Sequence, residues 1–131
     1  MNIEKRYGKG TELVWKDRKR FMGMPLSFTR YYLIKKPGVW CKLFCDTGFT
    51  YSEIEEVNLY RVVDISFHQS LLGKLFNTGS ITLRTSDETQ ASLILVNVKN
   101  PSSVRQMLAD IVEEERQRHN VHITEFHSRG Y

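Results

Sequence analysis

Between Ala91 and His119 the chain reads ASLILVNVKNPSSVRQMLADIVEEERQRH, and its hydrophobic period changes once. Ala91–Val98 is a run of β-branched and aliphatic residues of strand length. After it, Asn100 is a preferred helix N-cap and Pro101 suits the first helical position. Val104, Met107, Leu108, Ile111 and Val112 then recur at i, i+3, i+4, i+7 and i+8, the stripe of an amphipathic helix. The spacing predicts a strand that ends at an Asn-Pro stop, followed by a helix running to about His119. A helix carrying one apolar stripe has to lay that stripe on something, and the preceding sequence supplies a sheet.

Upstream, Thr11–Trp15 is a short strand candidate and Lys16–Arg20 a charged connection. Leu26–Ile34 is rich in Phe, Thr and Tyr, as strands are. Pro37-Gly38 fits the central positions of a type II turn, and Val39–Cys45 runs back from it. Asp46-Thr47-Gly48 makes the next turn. From Val57 the residues Val57, Leu59, Arg61, Val63, Ile65 and Phe67 alternate onto one face of a long strand predicted over Ile54–Phe67. Ile54 is out of phase with that face, which predicts a bulge near Glu55–Glu56. Gly73 and Asn77-Thr78-Gly79 bracket a loop, and Ile81–Thr85 pairs with Ala91–Val98 around Ser86-Asp87-Glu88. The tail from Val121 to Phe126 alternates like an edge strand or a docking arm. The fold class is therefore mainly β with one C-terminal α-helix, in a single domain spanning residues 1–131 with tails at about 1–10 and 120–131.

Ordinary globular composition, 40% hydrophobic and 26% charged, sets the chain apart from disordered sequences. Its longest apolar runs fall far short of the ~20 residues of a spanning helix. The first residues have no apolar stretch like that of a signal peptide, so a cytoplasmic location is expected, free or at the inner face of the membrane. Cys41 and Cys45 share one face of a strand with Cα atoms about 13 Å apart. That is beyond the reach of a disulfide, and they read as reduced thiols packed as small hydrophobes. The net charge of +4 is unevenly spread. Residues 1–42 hold eleven Lys or Arg against three acids, while residues 43–131 hold eight against twelve.

These residues resemble the bacterial pleckstrin-homology (PH) domain family often found flanking membrane helices. The resemblance lies in Phe28-Thr29-Arg30-Tyr31-Tyr32-Leu33, Leu59-Tyr60-Arg61-Val62-Val63-Asp64-Ile65 and Gln69-Ser70-Leu71-Leu72-Gly73-Lys74-Leu75-Phe76. It continues through Gly79-Ser80-Ile81 and Asn97-Val98-Lys99-Asn100-Pro101, so it covers about residues 12–118. Trp15–Gly23 is similar to a subgroup of small soluble members. The resemblance implies a bent, seven-stranded partial barrel capped by a helix, and it carries no activity. Where members have Thr followed by acidic, Arg and Leu residues, this chain has Ile34-Lys35-Lys36-Pro37-Gly38-Val39-Trp40, a more basic and more rigid turn.

The best candidate binding residues are Lys16, Arg18, Lys19 and Arg20, joined by Lys35 and Lys36 if the two turns open together. Several cations on one loop suit phosphate oxygens or an anionic bilayer, where each is worth ~1 kcal/mol. Phe21 and Met22 beside them can enter the bilayer boundary. The plain alternative is a solvated connection that keeps the domain soluble. Arg61 and Asp64 fall on opposite faces of a strand, which predicts half-buried hydrogen-bonding roles rather than a catalytic pair. His119 and His122 lack the acids or thiols of a metal set. Gly8-Lys9-Gly10-Thr11 lacks the strand and glycine spacing of a phosphate loop, and no nucleophile motif occurs. Tyr31, Tyr32 and Trp40 are better placed in a core than on a nucleic-acid stacking platform. Glu113–Glu115 reads as a solvated face or a contact for a basic partner. No catalytic residue, cofactor or metal is expected. The expected role is a non-enzymatic binding or scaffolding module acting through protein–protein contact or self-association, motivated by the tail and the acidic helix end. The alternative is peripheral binding to anionic phospholipid through Lys16–Arg20.

Overall fold

The computed structural model describes residues 2–86 and 92–128, with side chains through Asn120. The strands are β1 (Glu12–Arg18), β2 (Thr29–Lys36), β3 (Trp40–Thr47), β4 (Glu53–Asn58), β5 (Val62–His68), β6 (Thr78–Thr85) and β7 (Ser92–Lys99). Helices α1 (Ile3–Tyr7), α2 (Leu71–Phe76) and α3 (Pro101–Ser128) accompany them. The strands form two antiparallel meanders, β1-β2-β3-β4 and β5-β6-β7, which do not close into a barrel. At the β2–β3 turn the Val39 N–H donates to the Lys36 carbonyl at 2.9 Å. Gly38 there has φ +76°, the type II geometry that Pro-Gly predicts.

The long strand expected over Ile54–Phe67 is in fact two strands in different sheets. A 3-10 turn at Leu59–Arg61 separates β4 from β5. The β3–β4 register runs unbroken from Lys42↔Asn58 to Thr47↔Glu53, so there is no bulge at Glu55–Glu56. The irregularity lies instead at Val62/Asp64. A three-residue turn shifts the alternation, so Val57, Leu59 and Val62 are buried while Val63 is 52% exposed. Arg61 and Asp64 consequently face solvent, a correction to the half-buried role expected of them. Arg61 Nε donates to the Tyr60 hydroxyl, and Asp64 pairs with Arg84 at 3.4 Å.

The segment read as a loop between Gly73 and Gly79 is in its first half part of α2. Ser70 caps it by accepting from the Gly73 N–H, and Asn77 ends it in the left-handed region, which Asn tolerates. The β6–β7 hairpin forms as expected, and its tip at residues 87–91 lies outside the described residues. Asn100 accepts the Val104 N–H on its carbonyl, as an N-cap residue does. Its side chain, however, accepts from Asn77 Nδ2.

Helix α3 lays Val104, Leu108 and Val112 on the core, with Met107 and Ile111 half-buried beside them. The core they meet is built from Tyr31, Leu33, Leu43, Leu59, Ile81, Leu83, Leu95 and Val98, together with both cysteines. Each large aliphatic side chain buried there contributes about 1.5–3 kcal/mol relative to exposure. The helix continues to Ser128, so Val121–Phe126 is helical rather than an edge strand. No Gly or Pro stands between Pro101 and Gly130 to stop it. Residues 3–7, within the stretch expected as a tail, form α1. Asn2 caps it by accepting from the Lys5 N–H, and the Tyr7 ring rests on Phe44 at 4.6 Å.

Candidate functional site

Strand alternation sorts the first basic run. Lys16 and Arg18 are exposed on one face of β1, while Trp15 and Asp17 are turned inward and half-buried. The run Lys16–Arg18 is therefore strand rather than loop. Register then opposes Lys16 to Tyr32 and Arg18 to Arg30 across β1–β2. Like charges directly opposite destabilise a strand pair, and neither Lys16 nor Arg18 forms an ion pair among the described residues. A cavity of about 340 Å³ opens here, lined by Lys16, Asp17, Arg18, Arg20, Pro25, Arg30 and Tyr32.

The candidate cations are not one cluster. Arg20 is spent on structure: its guanidinium reaches Asp17 at 2.9 Å and the Gly23 carbonyl at 3.0 Å. Asp17 in turn accepts the Lys99 N–H at 2.8 Å, which ties the end of β1 to the end of β7. Lys19 is exposed, with its carbonyl accepting from Ser27 Oγ. Lys36 stands six residues further along β2 than Arg30, about 20 Å away at the strand rise. Lys35, beside it, faces Glu114 at 3.8 Å. Both lie at the opposite end of the sheet, so they do not join Lys16 and Arg18.

Behind the cavity lies Asp46, directly opposite Arg30 on β3 and 2% exposed. Its Oδ2 accepts from Arg6 of α1 at 2.6 Å and stands 3.5 Å from Arg30. The hydrogen bond to Asp46 raises the Arg6 pKa above its ordinary value. Asp46 Oδ1, Arg30 Nε and the Tyr7 hydroxyl are buried without a hydrogen-bond partner. Arg6, Arg30 and Asp46 did not emerge from the sequence as site residues, and Tyr32, weighed there only as a stacking ring or core residue, lines the cavity. The signal for them is even spacing along β2 and β3, which puts Arg30, Tyr32, Phe44 and Asp46 on the outer face.

An apolar rim lies beside this cavity. Phe21 and Met24 exchange backbone hydrogen bonds at 2.9 and 3.0 Å around Met22 (φ +50°) and Gly23 (φ +84°). Two successive positive φ values make a type I′ turn, and Gly23 supports it where a non-glycine such as Met22 is strained. The turn thrusts Phe21 and Met22 outward. Phe49, in the β3–β4 connection, meets Phe28 at 4.8 Å. A side chain at Gly23 would stand 3.3 Å from Phe76, so the same turn abuts α2. There Leu71 is 84% and Leu75 74% exposed. Phe21, Met22, Met24, Leu26, Phe28, Phe49, Tyr51, Leu71, Leu72 and Leu75 all project from this end. A concentration of that kind exceeds the scattered apolar exposure of an ordinary surface.

Other candidate residues have structural places. Tyr31 is 1% exposed, and its hydroxyl accepts the Val96 N–H, so it is no stacking platform. Burial pushes its pKa up to about 12. Trp40 packs on Phe44 with Lys42 above its ring. Cys41 and Cys45 are unpaired and buried, and burial pushes the Cys41 thiol up to about 12. His119 stacks on Tyr60 at 4.1 Å. His122 lies beyond the described side chains, and no metal-holding group of His, Cys, Asp or Glu occurs among the described residues. Glu115, expected on a solvated face, is 4% exposed and accepts from Arg118 at 2.7 Å. Arg118 also donates to the carbonyls of Gly38 and Val39, tying α3 to the β2–β3 turn. No helix among the described residues is long and apolar enough to cross a membrane.

A family model described as Bacterial PH domain matches residues 41–112, a little over half of the chain. The match begins on β3 and ends within α3, so the cavity-forming strands β1 and β2 precede it. Comparison with curated proteins and with solved structures returns no match.

Proposed function

The chain belongs to the bacterial PH domain family, and on that footing we propose that this binding module docks on anionic bilayer surfaces by its β1–β2 end. The observation that carries the reading is the coincidence, at one end of the molecule, of exposed apolar tips with Lys16 and Arg18, which form no ion pair among the described residues, and Arg30, which shares Asp46 with Arg6. Phe21, Met22, Leu71 and Leu72 enter the acyl boundary, about 5–10 Å deep for an interfacial element. Lys16, Arg18 and Arg30 meet lipid phosphate, each cation near the surface adding about 1 kcal/mol. This is a binding role rather than a catalytic one.

The second reading, protein contact or self-association, would not act by strand addition, since the tail is helical, and Glu115 is buried against Arg118 while Glu113 and Glu114 stay exposed. The test is sedimentation with phosphatidylcholine vesicles, with and without phosphatidylserine, at two salt concentrations. Binding is expected to need the anionic lipid and to weaken at high salt, because exposed charge attraction is screened beyond about 10 Å at 0.1 M. Equal binding to both vesicle types, or to neither, would refute the proposal.

A further inference from the structure

One buried carboxylate serves two arginines from different parts of the chain. Asp46 Oδ2 lies 2.6 Å from Arg6 and 3.5 Å from Arg30, and both come to the same oxygen. The nearer guanidinium supplies most of the compensation. Arg30 is the more loosely held of the two: its Nη2 is shared between the Gly48 carbonyl at 3.3 Å and Asp46 at 3.5 Å, and its Nε has no partner. It also faces Arg18 directly across the strand pair. A buried carboxylate cannot be left unpaired at small cost. If Arg6 were absent, Asp46 would draw Arg30 onto itself and away from the cavity.

We infer that Arg6, which does not line the cavity, is a positioning residue: by neutralising Asp46 it leaves Arg30 free to bind a phosphate-class anion there. The inference rests on the reading of this end as an anion-binding surface. It makes α1 part of the site without any contact between α1 and the anion. The shared chemistry is a phosphoryl group bearing negative charge, whether on a lipid headgroup or free in solution.

The probes are inorganic phosphate, titrated by NMR, and vesicles containing phosphatidic acid. Arg6→Gln is expected to weaken binding about tenfold, the scale of one charge-assisted hydrogen bond. Arg6→Lys should stay within about threefold of the parent, since a lysine also compensates Asp46. In an Asp46→Asn background, Arg6→Gln should have almost no effect, because the carboxylate that captures Arg30 is gone. A simple through-space charge effect would persist at full size in that background and would overturn the inference. A second readout does not depend on Asp46→Asn folding. The Arg30 Nε–H resonance should move on phosphate addition in the parent and stay fixed in Arg6→Gln, and identical movement in both would overturn the inference. Response to both probes assigns the phosphoryl group itself, and response to vesicles alone assigns the lipid headgroup. A parent chain that binds neither probe removes the functional reading together with this inference. Binding that Arg6→Gln leaves unchanged removes the inference alone.

Discussion

Replacing Phe21, Leu71 and Leu72 together by serine separates bilayer insertion from charge attraction. These side chains are 65%, 84% and 59% exposed. Full burial of such a side chain is worth about 1.5–3 kcal/mol. With roughly two-thirds of that still to be gained on entering lipid, each should contribute about 1–2 kcal/mol, and the three together about 3–6 kcal/mol. At about 1.4 kcal/mol per decade, partition onto phosphatidylserine-containing vesicles at fixed salt should fall by two to four decades. Folding should be nearly untouched, since exposed substitutions are usually within about 0.5 kcal/mol. Circular dichroism melts alongside the partition curves would verify that. A triple variant that partitions within threefold of the parent would refute insertion of this rim, whatever the cations do.

Lys16→Gln with Arg18→Gln should cost about 1 kcal/mol per cation at low salt and flatten the salt dependence of vesicle binding; an unchanged salt slope would count against the pair. Leu108→Ala, at a fully buried position of α3, should lower stability by about 2–5 kcal/mol, read as a shift in the urea midpoint. Raising the pH should destabilise the fold through Cys41. Its thiol stays protonated in the folded chain up to about 12 but ionises near 9 when unfolded. That contribution is whole below pH 9 and is lost as pH rises towards 12. Cys41→Ala should show a shallower loss of stability across that window, and an equal slope would exclude the thiol as its source.

The elements most legible in the sequence are those specified locally. The start of α3 has Asn-Pro and a five-residue stripe, and the β2–β3 turn has Pro-Gly. The break between β4 and β5 was hidden because Leu59-Tyr60-Arg61 contains no Gly or Pro and apolar residues continue on both sides. Only sheet packing shows that the core side chain changes from Val63 to Val62. Helix α2 was unreadable for the opposite reason: its six residues are too few for a period, and its leucines point outward. Within the site, Lys16 and Arg18 stand in a visible run of charge. Arg30 and Asp46 are separated from them by 12 to 30 residues, and Arg6 is 40 from Asp46, so only cross-strand register and the docking of α1 unite them. Lys35 and Lys36 show the converse. They looked like neighbours of the first run, but the sheet carries them to its other end.

The course of α3 has an electrical consequence. The helix starts at Pro101, beside α2, where Asn100 bonds to Asn77, and by Arg118 it has reached the β2–β3 turn at the far end. Its aligned peptide dipoles sum to roughly half a positive charge at the start and half a negative charge at the finish. The positive pole thus points towards the same end as Lys16, Arg18 and Arg30, and the negative pole away from it. In the docking proposed above, that pole would face the anionic surface and add to the attraction over about one helical turn, so the closing helix would serve the cations as well as cover the core.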